Sequence, residues 1–143
     1  MRYTCEVTID KPREEVQALF DNPENMLIWQ PTLKKYEVVE GNKHEDGVKS
    51  KFTYDQNGKE VILYETVEKF NYPDQMIAIY EADKMWNRCV NDLIDLGDKT
   101  IWRIDSEFIG SGFMKVVCFL GKSMFVKQTM KDLNAFKVFA ESQ

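Results

Sequence analysis

The sequence predicts an α+β protein: one antiparallel sheet, two short helices after its first strand, and one long closing helix. Three observations carry this. An alternating N-terminal strand runs straight into a short helical segment that ends at Asn22-Pro23. From Leu33 onward the apolar period is two, and every connection between apolar runs is short. After Gly110-Ser111-Gly112 the period becomes helical and stays so to the end. Short connections imply antiparallel neighbours, because a parallel pair needs a crossover of a dozen residues or more. A single sheet with one terminal helix lying across it tends to enclose a cavity.

The elements follow in order. Tyr3, Cys5, Val7 and Ile9 alternate with Thr4, Glu6, Thr8 and Asp10, which gives one buried and one wet face. Pro12 suits a first helical position, where its missing N–H has no intrahelical partner to lose. Glu14 and Glu15 then fall in the first turn, where the helix dipole favours negative charge. Val16, Leu19 and Phe20 share a face. Pro23-Glu24-Asn25 starts a second short helix carrying Met26, Leu27 and Trp29. Strands are expected at 33–40, 48–55, 60–70, 75–82, 86–96 and 100–109. Asn57-Gly58 is a strong hairpin signal between two of them. The closing segment divides at Gly121, with Phe113, Val116, Val117 and Leu120 as one stripe. Val126, Met130, Leu133, Phe136 and Ala140 form a second. One domain over residues 1–143 is expected, since no repeat or linker interrupts the chain.

Composition narrows the function classes. The net charge of −5 argues against a nucleic-acid partner, which needs a basic face to track phosphates. The three cysteines, Cys5, Cys89 and Cys118, are far apart, so neither a disulfide framework nor a zinc site is indicated and a cytoplasmic location is expected. No integral membrane association is expected, because the most apolar run, 113–126, is short and broken by Lys115, Gly121 and Lys122. His44 is the only histidine and lies in a charged hairpin loop, so it reads as a solvated loop residue. With so few ligands to draw on, no metal and no cofactor are expected.

Several stretches together resemble the START-related, SRPBCC superfamily, which includes the birch-pollen-allergen proteins and polyketide cyclase/dehydrase-like proteins. They are Ile9-Asp10-Lys11-Pro12-Arg13-Glu14-Glu15-Val16, Asn22-Pro23-Glu24-Asn25, Trp29-Gln30-Pro31 with Gly41 ten residues on, Gly97-Asp98-Lys99-Thr100 and the tail 127–137. The resemblance spans nearly the whole chain. It implies the helix-grip fold: a seven-stranded, strongly curved antiparallel sheet wrapped around the C-terminal helix, with an apolar cavity between them. It implies no single function, because the superfamily spans carriers, cyclases, ring-hydroxylase subunits and chaperone activators. The iron-binding histidines of the ring hydroxylases have no counterparts here.

The expected partner is a small, mostly hydrophobic ligand held in that cavity. Phe52, Tyr54, Trp102 and Phe108 are candidate wall residues by shared alternation with other apolar positions. Trp29 is a candidate by its place in the Trp-Gln-Pro turn, and Met124 and Gln128 by lying one turn apart on the closing helix. Glu65 faces the cavity if Val61, Leu63 and Val67 do. Arg88 faces it, with Asp92, if Val90 and Ile94 do; in the opposite register Asn87, Cys89, Asn91 and Leu93 point inward, and periodicity leaves both open. The Met- and Phe-rich stretch 113–125 is a candidate gate, or an ordinary amphipathic helix start. Two rival functions stand beside the carrier: a polyketide cyclase/dehydrase-like enzyme using a polar pair in the cavity, and a chaperone-activator-like protein-binding module. Convergent polar groups with shifted proton affinities favour the enzyme. A packed interior with an exposed apolar patch favours the module.

Overall fold

The computed structural model describes residues 1–143. The element order is β1 (Arg2–Ile9), α1 (Arg13–Phe20), α2 (Pro23–Trp29), β2 (Leu33–Glu40), β3 (Lys49–Gln56), β4 (Lys59–Asn71), β5 (Gln75–Ala82), β6 (Met85–Asp95), β7 (Thr100–Gly110), α3 (Phe113–Leu120) and α4 (Lys122–Glu141). The strands form one seven-stranded sheet in the order β1-β7-β6-β5-β4-β3-β2, and every adjacent pair is antiparallel. This is the order of elements expected from the sequence. β1 and β2 are the two edges, so α1 and α2 carry the chain from one side of the sheet to the other.

Local chemistry explains the boundaries. The Asn22 side chain accepts the Glu24 N–H at 3.0 Å, and Pro23 follows at the first position of α2. Pro12 stands one residue earlier than expected, as the extended N-cap of α1, where its carbonyl accepts the Val16 N–H at 3.1 Å. Asn57 and Gly58 both have positive φ, 56° and 83°, as the tight β3–β4 hairpin requires.

The main core lies on the β1–β7–β6 side. Leu133, Phe136, Phe139 and Ala140 of α4 pack there against Cys5, Ile9, Leu93, Trp102 and Ile104. The Phe136 ring meets Trp102 at 5.1 Å, Trp29 at 5.4 Å and Phe20 at 6.1 Å, all edge to face. A smaller cluster of Val48, Val67, Met76 and Ala78 lies under the other half of the sheet. The cavity opens between these two clusters.

The first closing stripe behaves differently from the second. Phe113, Val116 and Leu120 of α3 point into solvent, while Cys118 is the helix's one buried residue. Gly110 permits the close approach of α3 to β7, because a Cβ there would lie 2.5 Å from the Met114 carbonyl oxygen. No helix is long and apolar enough to cross a membrane.

Candidate functional site

Inward-facing residues form rows across the strands. One row runs from Ser50 on β3 to Glu65 on β4, Tyr80 on β5, Asn87 on β6 and Phe108 on β7, each directly opposite the next. The next row is Val67, Ala78, Cys89, Ser106 and Tyr3. These rows, with one face of α4 and the end of α2, enclose a cavity of about 360 Å³ lined mostly by hydrophobic side chains.

Glu65 is the deepest charged group in that cavity. None of the ion pairs in the structure includes it. Burial pushes its carboxyl up from 4.5 to about 7; the neighbouring Tyr80 hydroxyl pulls the other way, and the charge of Asp21 adds to the rise. Three tyrosines surround it. Burial, then nearby carboxylates, pushes the phenols of Tyr54, Tyr72 and Tyr80 up, so all three remain protonated donors near neutral pH. The Tyr54 hydroxyl donates to Gln30 Oε1 at 3.0 Å, and the Ser50 hydroxyl donates to Tyr36 at 3.3 Å. A carboxyl that changes charge near pH 7, beside phenolic donors in an apolar setting, can hold or exchange a proton with a bound molecule. Cys89 is not a comparable nucleophile: burial raises its thiol, and it lies in van der Waals and hydrogen-bond contact with Asn87 and Ser106.

The structure brings together Trp29, Phe52, Tyr54, Glu65, Trp102, Phe108 and Gln128 around the cavity. Trp29 does more than rim the mouth. Its ring packs edge to face on Trp102 at 6.4 Å as well as on Phe136, and its buried Nε1 has no hydrogen-bond partner. Phe108 is half-buried and lines the cavity, with its ring near-parallel to Tyr3 at 6.0 Å and tilted against Phe125 at 4.7 Å.

Two expected site residues lie elsewhere. Arg88 is on the outer face of β6, where Nε and Nη2 reach the two carboxylate oxygens of Glu68 at 3.2 and 2.6 Å. The register turns Asn87, Asn91 and Leu93 inward instead, because the amides find partners inside the sheet. Asn91 accepts from Trp102 Nε1 at 3.0 Å, and Asn87 donates to Ser106 at 3.2 Å and to the Glu107 carbonyl at 3.1 Å. Met124 lies outside the cavity, because the inward stripe of α4 is Phe125, Gln128, Thr129 and Asp132. Gln128 is at the rim and bonds Asp132 at 3.1 Å.

His44 is tied down rather than free in its loop. Its Nε2 lies 2.7 Å from Asp21 Oδ2, and its ring meets Phe70 at the cavity rim. Tyr80, Tyr72 and Asp21 were missed as site residues. Alternation with Met76 and Ala78 could have found Tyr80, whereas Tyr72 and Asp21 follow strand and helix ends that carry no periodic signal. No group of three or more His, Cys, Asp or Glu side chains is close enough to hold a metal ion.

No protein-family model matches the sequence, and no curated protein matches it. Solved structures do. Ara h 8.0201 superposes over 100% of this chain and 99% of its own, with a TM-score of 0.78 at 14% identity. A START superfamily protein from Mycobacterium smegmatis covers 99% and 97%, with a TM-score of 0.75 at 13% identity. The chain has the helix-grip fold. The Zhui aromatase/cyclase from Streptomyces sp. R1128 shares it over 99% of this chain and 93% of its own, with a TM-score of 0.76 at 14% identity. In all three the likeness extends over at least 99% of the present chain.

Proposed function

We propose that this helix-grip protein binds a small, mostly hydrophobic molecule between the sheet and α4, anchored at Glu65 and Tyr80. The observation that carries the reading is an apolar-walled cavity of about 360 Å³ with one unpaired carboxyl at its depth. Apolar walls with a few convergent polar groups are the usual form of a small-molecule site. An unpaired carboxyl gains most from a ligand that donates a hydrogen bond or brings a positive charge, so the ligand is an apolar body with one such group. The free, buried state of all three cysteines fits a reducing cytoplasm.

A second reading is supported by the same carboxyl. With its proton affinity near neutrality and three phenols around it, Glu65 suits an acid–base role on a hydrophobic substrate, as in a cyclase. The Zhui neighbour, named an aromatase/cyclase, fits this reading. The test is titration with a fluorescent naphthalene-sulfonate or fatty-acid probe, together with native mass spectrometry of the purified protein. Uptake that is weakened on Phe52→Ala supports an occupied cavity, and an apolar amine whose binding falls on Glu65→Gln, while that of the anionic probes does not, supports Glu65 as the anchor. No uptake and no co-purified molecule would reject both readings.

A further inference from the structure

We propose that α3 and the first turns of α4 form a docking face for an anionic lipid bilayer. α3 is amphipathic, but its apolar face points outward. Phe119, Phe113 and Leu120 are 84, 77 and 74% exposed, and Val116 and Met124 are exposed beside them. At 100° per residue, Phe113, Val116, Phe119 and Leu120 fall on one side of the helix, and Met114 and Cys118 fall on the other. The inner side is fixed by the tight Gly110 contact and by Cys118, whose Sγ lies 3.7 Å from Met85 Sδ. The outward stripe is therefore held in place by the fold, not by fraying. A cluster of large apolar side chains in water is unfavourable and marks a contact surface.

The charge around the stripe chooses the occupant. From residue 113 to 131 the charged residues are Lys115, Lys122, Lys127 and Lys131, all exposed, with no aspartate or glutamate. This basic stretch stands out on a protein of net charge −5. A second copy docked face to face would bring the lysines against one another, because a two-fold interface repeats the same patch on both sides. An anionic bilayer accepts both features: the phenylalanines and leucine enter the headgroup–acyl boundary, and the lysine stems lie along it with their ammonium groups at phosphates. The helix is short, about 12 Å, so docking is reversible. The face adjoins the cavity, since Met85 and Phe125 line it. If the protein carries an apolar ligand, docking brings that end of the cavity to the lipid; the docking face itself does not rest on the carrier reading.

The experiment is co-sedimentation of the intact protein with phosphatidylcholine vesicles, with and without phosphatidylglycerol, at low and high salt. Binding is expected to the anionic vesicles, to be weaker on phosphatidylcholine alone, and to fall with salt. Phe119→Ser with Leu120→Ser should abolish it, while far-UV dichroism and the thermal melt stay those of the parent, since both side chains are exposed. Each of Lys122→Gln and Lys127→Gln should lower partitioning about fivefold. Lys34→Gln with Lys35→Gln, on the distant β2 edge, should leave it unchanged. No binding to anionic vesicles, or binding that survives the Phe119 and Leu120 changes, would overturn the proposal. So would a concentration-dependent dimer in light scattering that those two changes abolish, because the face would then belong to a second copy.

Discussion

Replacing Glu65 with Gln should stabilise the protein at neutral and alkaline pH and leave it unchanged in acid. The carboxyl is raised from 4.5 to about 7 in the folded chain. Between those values the folded state keeps a proton that the unfolded state has lost, so stability falls as pH rises through the window. A full shift of that size amounts to about 3 kcal/mol. Water reaching the carboxyl through the cavity lowers the figure, so the expected gain for Glu65→Gln at about pH 8 is about 1–3 kcal/mol. Gln keeps the shape and can still bond Tyr80, so packing changes little. The assay is urea unfolding of both proteins at intervals from pH 4.5 to about pH 8. The difference between the two curves isolates Glu65, because every other titrating group is common to both. It should be near zero at the acid end and grow to its full value above pH 7. Parallel curves would refute the reasoning, and would mean that Glu65 is solvated or paired in solution.

Other outcomes follow from packing. Phe136→Ala should cost about 3–5 kcal/mol, since the ring is fully buried among Trp29, Trp102 and Phe20. Phe108→Ala should cost clearly less, because one side of its ring faces the cavity, and it should admit a larger probe; equal losses in urea unfolding would count against an open cavity. Removing the residues after Gly121 should abolish cooperative unfolding, because Leu133, Phe136, Phe139 and Ala140 are then missing from the core; a truncated chain that melts sharply would contradict the packing described. Gly110→Ala should destabilise by about 1–3 kcal/mol, since its Cβ meets backbone that cannot move without displacing α3. A melt unchanged from the parent would show that α3 is not clamped there.

Most of the architecture was legible because each element carries a local signal that tertiary packing then reinforced. Asn22-Pro23 ends one helix and caps the next, Asn57-Gly58 makes its hairpin, and the stripe at Leu133, Phe136 and Ala140 faces the core. Glu65 could be placed conditionally, since the apolar residues around it on β4 fix its face. Arg88 could not, because β6 alternates amides and leucine against valine, isoleucine and charges, so both registers look half apolar. What decided it was the set of partners for Asn87 and Asn91, which lie on β5 and β7 and are invisible in a one-dimensional pattern. α3 shows the opposite failure: its periodicity was correct, but periodicity finds a face without saying which way it turns.

The polar row has a geometric origin. Seven strands about 4.8 Å apart span on the order of 29 Å, whereas one helix with its side chains is about 10–12 Å across. One helix laid on such a sheet cannot cover it, and α4 lies toward the β1 edge. The apolar inward positions there, Cys5, Ile9, Trp102 and Ile104, pack against α4, and the neutral Asn91 and Ser106 among them have hydrogen-bond partners inside the sheet. The inward polar residues Ser50, Glu65 and Tyr80 sit on β3, β4 and β5, where α4 does not cover the sheet. A carboxyl under the helix would face a large desolvation penalty with no relief, but beside an open cavity it can take a proton, water or a ligand as its partner. Inward polar residues occur on β6 and β7 too, but Asn87, Asn91 and Ser106 there are neutral and hydrogen-bonded within the sheet, so it is the inward carboxyl, Glu65, that the uncovered strands carry.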